Sequence, residues 1–233
     1  MTSVVKLALQ NLSNEEVKEL KVLAEARGIR SNSKDNHAIS RAERVDVLPL
    51  SFAQQRVWFM SQEDKNSASY HIPIAFRIYG DIDSLAMQRS FQGLLDRHES
   101  LRTVFSVSLD GQPHARLLST DANFRLLEID LMGHLDGTKA LKELVREQSL
   151  RPFDLTQGPL IRACMVHLRD QEHVLIVIQH HIVSDGWSIG ILLRELSALY
   201  NAFVRGSPSS LSPLEIQYPD YASWQRTWFN DNR

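Results

Sequence analysis

Cysteine is nearly absent from this sequence, which contains only one, Cys164, among 233 residues. A single thiol forms no disulfide within the chain, so a small disulfide-stabilised framework is excluded. Cys164 lies in an apolar run at residues 161–166, a setting that is typical of a small buried side chain rather than of a nucleophile.

Long hydrophobic runs and a surplus of one charge are missing as well. No stretch is long and apolar enough to span a bilayer, and residues 1–6 lack the basic-then-apolar pattern of a signal peptide. The 26 basic and 28 acidic residues give a net charge of −2, which argues against nucleic acid or a membrane as a partner. We therefore expect a cytoplasmic protein, and its 43% hydrophobic composition is enough for one sizeable core.

The first 45 residues differ in character from the rest of the chain. Ser13 and Glu16 have the spacing of a capping box and predict the start of a short helix, and the polar stretch at 30–44 is typical of a linker. We interpret residues 1–45 as a leader packed on the surface, with a docking segment for an upstream protein as the alternative. Residues 46–233 then form the folded domain.

Strand and helix patterns alternate from Leu48 onward, which predicts an α/β or α+β layered domain. Ser51 and Gln54 begin the first helix, and Asp110-Gly111 marks a turn between two strands. The remaining elements are a strand at 72–78, helices at 84–98, 138–150 and 189–203, and strands at 160–168 and 174–181. The helix at 84–98 places apolar residues at helical spacing: Leu85, Phe91, Leu94 and Leu95.

The junction at residues 180–189 holds the residues best suited to chemistry. His180 and His181 end a nearly all-apolar strand, and consecutive strand residues point to opposite faces. The two imidazoles therefore do not converge on one ligand, and no metal is expected here. Asp185 and Gly186 follow, and then a helix that Ser188 is expected to cap.

In a functional interpretation, one histidine presents a neutral imidazole to a substrate channel. Asp185 then holds the loop through an arginine, and Gly186 allows close backbone approach. The helix start near Ser188 adds partial positive charge where an oxyanion forms. The alternative is a buried polar pair beside an Asp-Gly turn, and the residues alone leave both interpretations open.

The other histidines and the tryptophans are given plainer interpretations. No partner set is visible in the sequence for five of the histidines: His71, His114, His134, His167 and His173. The tryptophans are interpreted as packing residues: Trp58, Trp187, Trp224 and Trp228.

Four motifs, in order, resemble those of the condensation domains of nonribosomal peptide synthetases. Residues 180–186 (His-His-Ile-Val-Ser-Asp-Gly) are similar to the third motif of that family, His-His-x-x-x-Asp-Gly. Residues 51–58 (Ser-Phe-Ala-Gln-Gln-Arg-Val-Trp) resemble the first, 97–105 (Arg-His-Glu-Ser-Leu-Arg-Thr-Val-Phe) the second, and 218–224 (Tyr-Pro-Asp-Tyr-Ala-Ser-Trp) the fourth. The resemblance covers about residues 48–229.

The resemblance implies a fold and a missing part. The family is a pseudodimer of two chloramphenicol-acetyltransferase-like lobes, each a mixed sheet flanked by helices, with the active-site motif between them. This sequence corresponds to the N-terminal lobe and stops after the fourth motif. We therefore expect the isolated lobe to be inactive and to expose an apolar face where the second lobe packs.

The resemblance also implies an activity and its residues. In the family, the α-amine of an acceptor aminoacyl thioester attacks a donor thioester, and both are carried on the 4′-phosphopantetheine of peptidyl carrier proteins. It implies that His181 orients or deprotonates the amine, that His180 is structural, and that Asp185 is an ion-paired organiser. Arg97 and Arg102 are its possible partners, unless they only brace the core.

Further expectations follow for the surroundings. Gly186 lets the thioester approach, Ser188 and Trp187 support the site, and no cofactor is bound by the lobe itself. The first motif is similar to that of domains that join two L-residues. An adjacent adenylation domain, the donor and acceptor carriers and the second lobe are the expected partners, and the alternatives are a non-catalytic carrier-docking lobe or a starter domain that acylates the first amino acid.

Overall fold

The structure, a computed structural model, describes residues 38–64, 67–108, 110–120 and 124–231. The chain divides into two compact units, Met1–Ala38 and Ile39–Arg233. The predicted capping box at Ser13 and Glu16 and most of the predicted linker lie outside the described residues. Residues 39–45 belong to the second unit, and the division of the chain at residue 45 stays a prediction. Within the described residues, no helix is long and apolar enough to cross a membrane.

A four-stranded mixed sheet forms the centre of the fold. Its strands are β1 (His71–Tyr79), β4 (Leu126–Asp130), β5 (Ile161–Arg169) and β6 (Glu172–His180), in the order β1-β6-β5-β4. The strand β6 pairs antiparallel with β1 and β5, whereas β4 pairs parallel with β5. A separate hairpin of β2 (Thr103–Val107) and β3 (Pro113–Leu117) supports the expected turn at Asp110-Gly111.

Helices cover both faces of this sheet. They are α1 (Phe52–Glu63), α2 (Ser84–Arg97), α3 (Gly137–Leu150), α4 (Gly186–Val204) and α5 (Tyr218–Asp231), with a 3₁₀ turn at Glu99–Arg102. On one face, Phe91 and Leu196 pack in the same core as Leu175 and Val177. On the other, partly buried side chains of α3 pack against a smaller cluster from β5 and β6, namely Cys164, Val166, Val174, Ile176 and Ile178.

Residues 173–180 of β6 are buried because alternate side chains enter the two cores. This explains why the sequence of the strand is nearly all apolar and confirms the predicted layered α/β fold. Cys164 is 1% exposed, and burial raises the pKa of its thiol to about 11. Its interpretation as a small buried side chain is therefore confirmed.

The helix boundaries follow local capping chemistry. Ser51 and Gln54 form the predicted capping box at the start of α1, and the carboxylates of Asp83 and Asp136 accept hydrogen bonds from the first turns of α2 and α3. The helix α3 ends at Leu150 because Pro152 disfavours helical geometry at Arg151.

One prediction within α2 is wrong. Leu85 is 60% exposed, although Phe91, Leu94 and Leu95 are fully buried. Phe91 lies six positions after Leu85, which is a rotation of about 600° around the helix axis and places the two side chains about 120° apart. Leu85 therefore lies outside the apolar stripe.

Candidate functional site

The two histidines of the motif lie at the end of β6 in different environments. The strand ends at His180, one residue earlier than predicted, and His181 begins a turn that leads to α4. His180 is 4% exposed, whereas the side chain of His181 lies at the surface of the lobe. The backbone N–H of His181 donates to the carbonyl oxygen of Tyr70 at 2.8 Å, which fixes the position of this turn against the chain that enters β1.

His180 is held as a neutral imidazole. Burial, followed by the neighbouring His71 and His181, lowers its pKa to about 4. The backbone N–H of Ile182 donates to its Nδ1 atom at 3.2 Å, so the proton of the neutral ring is on Nε2. The rings of Tyr70, His71 and Phe153 surround it, with centroids 6.0–6.3 Å away.

Asp185 organises the start of α4. Its carboxylate accepts hydrogen bonds from the Ser188 backbone N–H at 2.8 Å and from the Ser188 hydroxyl at 2.6 Å. These bonds, that of the hydroxyl first, lower the pKa of Asp185 and keep it ionised at neutral pH. The prediction that Ser188 caps this helix is wrong: α4 begins three residues earlier than expected, at Gly186, and Asp185 is the capping residue.

This cap also affects the predicted oxyanion site. The Ser188 N–H points to the Asp185 carboxylate, and the Trp187 N–H interacts with the same group. The first-turn amides therefore face a fixed negative charge, and the prediction that they stabilise an oxyanion is not supported. Gly186 has no atom within 4 Å of the position that a Cβ would occupy, so the space beside it is open.

The two arginines predicted as partners of Asp185 are engaged elsewhere. Arg97 donates from Nε to Glu195 at 2.9 Å and from a terminal nitrogen to the Ser212 carbonyl at 2.6 Å. Arg102, which is buried, donates to the carbonyl oxygens of Leu95 and Leu118. The ion pair with Asp185 is therefore a wrong prediction for this lobe, and the alternative, that both arginines brace the core, is supported.

Trp187 is 83% exposed, so its interpretation as a packing residue is wrong within this lobe. Trp58, in contrast, is buried in the main core. Trp187 follows directly after Gly186 in the first turn of α4, so a large apolar ring and open space lie side by side near His181.

Glu195 is a buried carboxylate that was not predicted from the sequence. It is 6% exposed and lies 2.6 Å from the Nε2 atom of His98 as well as beside Arg97. Burial by itself raises the pKa of Glu195, but the hydrogen bonds from His98 and Arg97 outweigh it and lower the pKa. A signal was present in the sequence, because residue 195 falls within the apolar stripe that contains Leu192, Leu196 and Leu199.

Asp220, in the fourth motif, is a second group that was not predicted. It is 1% exposed, and its carboxylate accepts from the backbone N–H groups of Ala42 and Gln217 and from Arg44 at 2.6 Å. Arg44 also pairs with Glu99 of the second motif. Burial opposes ionisation of Asp220, but the bond from Arg44 prevails and its pKa is lowered.

All five histidines for which no partner set was visible in the sequence make hydrogen-bonding contacts, and those of His71, His167 and His173 are described here. His71 donates from Nδ1 to the Ser149 carbonyl oxygen at 2.7 Å. The Nδ1 atoms of His167 and His173 lie 2.8 Å apart, and the Nε2 atom of His167 is 3.3 Å from Glu128. These contacts join residues on different elements, so no local sequence pattern indicated them.

Comparison with known proteins identifies the family. The sequence matches the family described as "Condensation domain" over residues 44–232. It is 48% identical to malpibaldin synthetase of Mortierella alpina over 87% of this chain, and 47% identical to malpinin synthetase of the same organism over 84%. The chain spans only 4% and 2% of the lengths of these proteins.

Solved structures agree with this result. The X-domain from teicoplanin biosynthesis superposes with a TM-score of 0.75 at 28% identity, covering 84% of this chain and 41% of that one. The starter condensation domain of rhizomide synthetase superposes with a TM-score of 0.72 at 21% identity, covering 79% and 42%, and shows the fold alone. This chain belongs to the condensation domain family.

Proposed function

We propose that this chain is the N-terminal lobe of a condensation domain that forms amide bonds within a nonribosomal peptide synthetase. The observation that carries the proposal is the side chain of His181, which is exposed at the end of a rigid buried strand next to an ionised, helix-capping Asp185. The two relatives named as synthetases support it.

The proposed reaction joins two tethered substrates. The α-amine of an aminoacyl thioester attacks the carbonyl carbon of a donor acyl or peptidyl thioester, the C–N bond forms, the C–S bond breaks, and the amine proton leaves to give the amide and the donor thiol. An α-amine has an ordinary pKa of about 8, so a useful fraction is neutral at physiological pH. Positioning of the two reactants then supplies much of the acceleration.

His181 is proposed to accept a hydrogen bond from the attacking amine. The backbone bond to Tyr70 and the end of β6 hold its main chain, and its exposed ring is free to meet a substrate. Asp185 is the organiser of the loop through its cap on α4. The open space beside Gly186 leaves room for the thioester.

The partners belong to the same proposal. The substrates are carried on the 4′-phosphopantetheine of donor and acceptor peptidyl carrier proteins, and a second lobe completes the site. An adenylation domain loads the acceptor. The form of the first motif, at residues 51–56, favours the subtype that joins two L-residues.

The experiment uses the complete condensation domain with donor-loaded and acceptor-loaded carriers from the same synthetase, and it reads the carrier-bound species by mass spectrometry. We expect the acceptor carrier to gain the mass of the donor with the wild type, and His181→Ala to reduce this transfer by about 100-fold or more, as expected for loss of a group that handles the reacting proton. His134→Ala, an exposed histidine in a loop, is the matched control.

Near-normal transfer by a folded His181→Ala protein would overturn the role of His181. Failure of the wild type itself, with correctly loaded carriers, would overturn the amide-forming function. In that case the lobe is better explained as a docking platform for a carrier.

A further inference from the structure

Gln54, in the first motif, is a buried polar residue to which the function proposed above assigns no role. It lies in the first turn of α1 and is 5% exposed. The amide of a glutamine has an oxygen that accepts hydrogen bonds and a nitrogen that donates them. Buried amides are held in folded proteins by partners for these atoms, so the partners of Gln54 indicate what this side chain does.

The two ends of the Gln54 amide contact partners of opposite chemistry. Its Oε1 atom accepts from the Ser51 backbone N–H at 3.1 Å, which is one half of the capping box of α1. Its Nε2 atom donates to the Ile182 carbonyl oxygen at 3.4 Å, across 128 positions of the sequence. The reversed amide would set N–H against N–H and oxygen against oxygen. The two partners therefore fix the amide in one orientation.

The carbonyl group of Ile182 depends on this contact. Ile182 follows His181 directly and is 3% exposed. Among the described residues, Gln54 is the only group that donates to its carbonyl oxygen. The bond is longer than the usual N–H···O distance of about 2.9–3.0 Å. Even so, its removal would leave a buried acceptor unsatisfied, which is the costly case for a hydrogen bond.

Three hydrogen bonds hold the main chain at His181 and Ile182. The His181 N–H donates to the Tyr70 carbonyl oxygen at 2.8 Å, the Ile182 N–H donates to Nδ1 of His180 at 3.2 Å, and the Ile182 carbonyl accepts from Gln54. Tyr70 immediately precedes β1 and His180 ends β6. Of these three bonds, that of Gln54 is therefore the one that ties the turn after β6 to a helix.

The start of α1 is itself held in place by α5. Arg226 donates from Nε to the Leu50 carbonyl oxygen at 2.7 Å, and the side-chain oxygen of Gln225 accepts from the Phe52 N–H at 2.9 Å. These bonds flank the capping box on both sides. Gln54 thus extends from a fixed helix start, which is what a residue that orients another group requires.

We propose that Gln54 is a positioning residue that holds the turn after β6, so that the His181 imidazole keeps its place beside the reacting amine. This inference rests on the role proposed above for His181, but the hydrogen bond through which Gln54 acts can be measured without any reaction. A displacement of about 1 Å can slow an enzyme by roughly 100-fold. A bond to the residue next to His181 therefore affects the rate although Gln54 itself does not handle the proton.

Amide hydrogen exchange, followed by NMR on this chain, tests the bond itself. Gln54→Met keeps the length of the side chain and removes both of its contacts. We expect the N–H groups of His181 and Ile182 to exchange about tenfold faster than in the wild type, relative to amides in the centre of β6. Gln55→Met, the same substitution at the next position, removes only a bond to Arg226 and should leave both amides unchanged. Unchanged exchange in Gln54→Met, or equal changes in both variants, would overturn the proposal.

The transfer assay on the complete domain tests the effect on the reaction. We expect Gln54→Met to lower kcat about tenfold and to leave KM for the acceptor carrier within about twofold, because the substitution displaces His181 and leaves carrier binding intact. Gln55→Met should match the wild type. An inactive wild type would overturn the amide-forming function and leaves the exchange result to decide on the bond. An active wild type with normal kcat in Gln54→Met would overturn the positioning role alone.

Gln54→Glu separates the bond to Ile182 from the cap of α1. Its carboxyl keeps an oxygen for the Ser51 N–H, as glutamate does in many capping boxes. When ionised, it sets a negative oxygen against the Ile182 carbonyl, and when protonated it regains an O–H donor. Burial raises the pKa of such a carboxyl above its ordinary value of about 4.3. The kcat relative to the wild type should therefore rise as the pH falls from about 8 to about 6. A ratio that does not change with pH would assign the effect to the cap and overturn the proposal.

Discussion

At the scale of single residues, the two histidines of the motif differ in burial: His180 is buried and His181 is exposed. His180 is neutral, buried and fixed in one tautomer, while the side chain of His181 is exposed and its backbone N–H bonds to Tyr70. The alternation of strand side chains predicted this separation. The ring cluster around His180 was not predictable, because Tyr70, His71 and Phe153 come from segments far away in the sequence.

The lowered pKa of His180 predicts a dependence of stability on pH. Between its folded pKa of about 4 and its ordinary pKa of 6.5, the unfolded chain binds a proton that the folded chain does not. Stability from this group is therefore complete above about pH 6.5 and is lost as the pH falls towards 4, by about 3 kcal/mol in all. Denaturant unfolding at several pH values should show a smaller loss in His180→Phe than in the wild type or in His134→Ala. Equal losses in all three proteins would contradict the assignment.

The thiol of Cys164 gives a second prediction at this scale. Because it is 1% exposed and its pKa is raised to about 11, we expect no reaction with an alkylating reagent at pH 8 while the protein is folded. Addition of denaturant should expose the thiol and allow complete labelling, read by mass spectrometry. Rapid labelling under native conditions would show that the sheet opens at β5.

At the scale of secondary-structure elements, caps and periodicity were the reliable signals. The capping box at Ser51 and the apolar run of β6 predicted the right elements, because both depend on neighbours in the sequence. The start of α4 was misplaced because Asp185 and Ser188 are both good capping residues, and only the three-dimensional path of the turn selects between them. Glu195 was missed for a related reason, since its partners Arg97 and His98 lie on and just after another helix.

The cap on α4 can be tested by substitution. Asp185→Ala removes the acceptor for the Ser188 N–H and should lower the free energy of unfolding by about 1 kcal/mol. Asp185→Asn retains a capping oxygen, so it should lower the free energy of unfolding by only a few tenths of the loss in Asp185→Ala. Thermal unfolding of both variants measures this difference. If stability instead depended on an ion pair of Asp185 with an arginine, Asn would be as damaging as Ala. Ser188→Ala, which keeps the backbone bond, is the control.

At the scale of the whole lobe, residues 41–44 form hydrogen bonds with residues 215–220, which include the start of α5. Arg41 donates to the Glu215 carbonyl at 2.9 Å, and the Ala42 N–H and the Arg44 guanidinium bond to the buried Asp220. The polar composition of this stretch predicted a linker. The division of the chain at residue 45 stays a prediction, and the structure adds that Ala42 and Arg44 bond to a buried carboxylate more than 170 positions later in the chain.

These hydrogen bonds predict that substitution of Arg44 and of Arg41 lowers the free energy of unfolding by different amounts. Arg44→Ala leaves the buried Asp220 without its cation and should lower the free energy of unfolding by about 2 kcal/mol, as for loss of a hydrogen bond between charged groups. Arg41→Ala removes only an exposed contact to the backbone and should cost less than about 0.5 kcal/mol. Denaturant titration of both variants checks this. Similar small losses would show that Asp220 is stabilised by backbone N–H groups alone.

The hydrogen bonds between residues 41–44 and residues 215–220 also affect how the lobe resists a mechanical force applied to the chain. Here a pull on the entering segment is resisted first by the bonds of Arg41 and Arg44 to Glu215 and Asp220. Since the paired strands lie beyond these bonds in the chain, we expect a force applied at residue 39 to break these bonds before it disturbs the register of β6 and the position of His181.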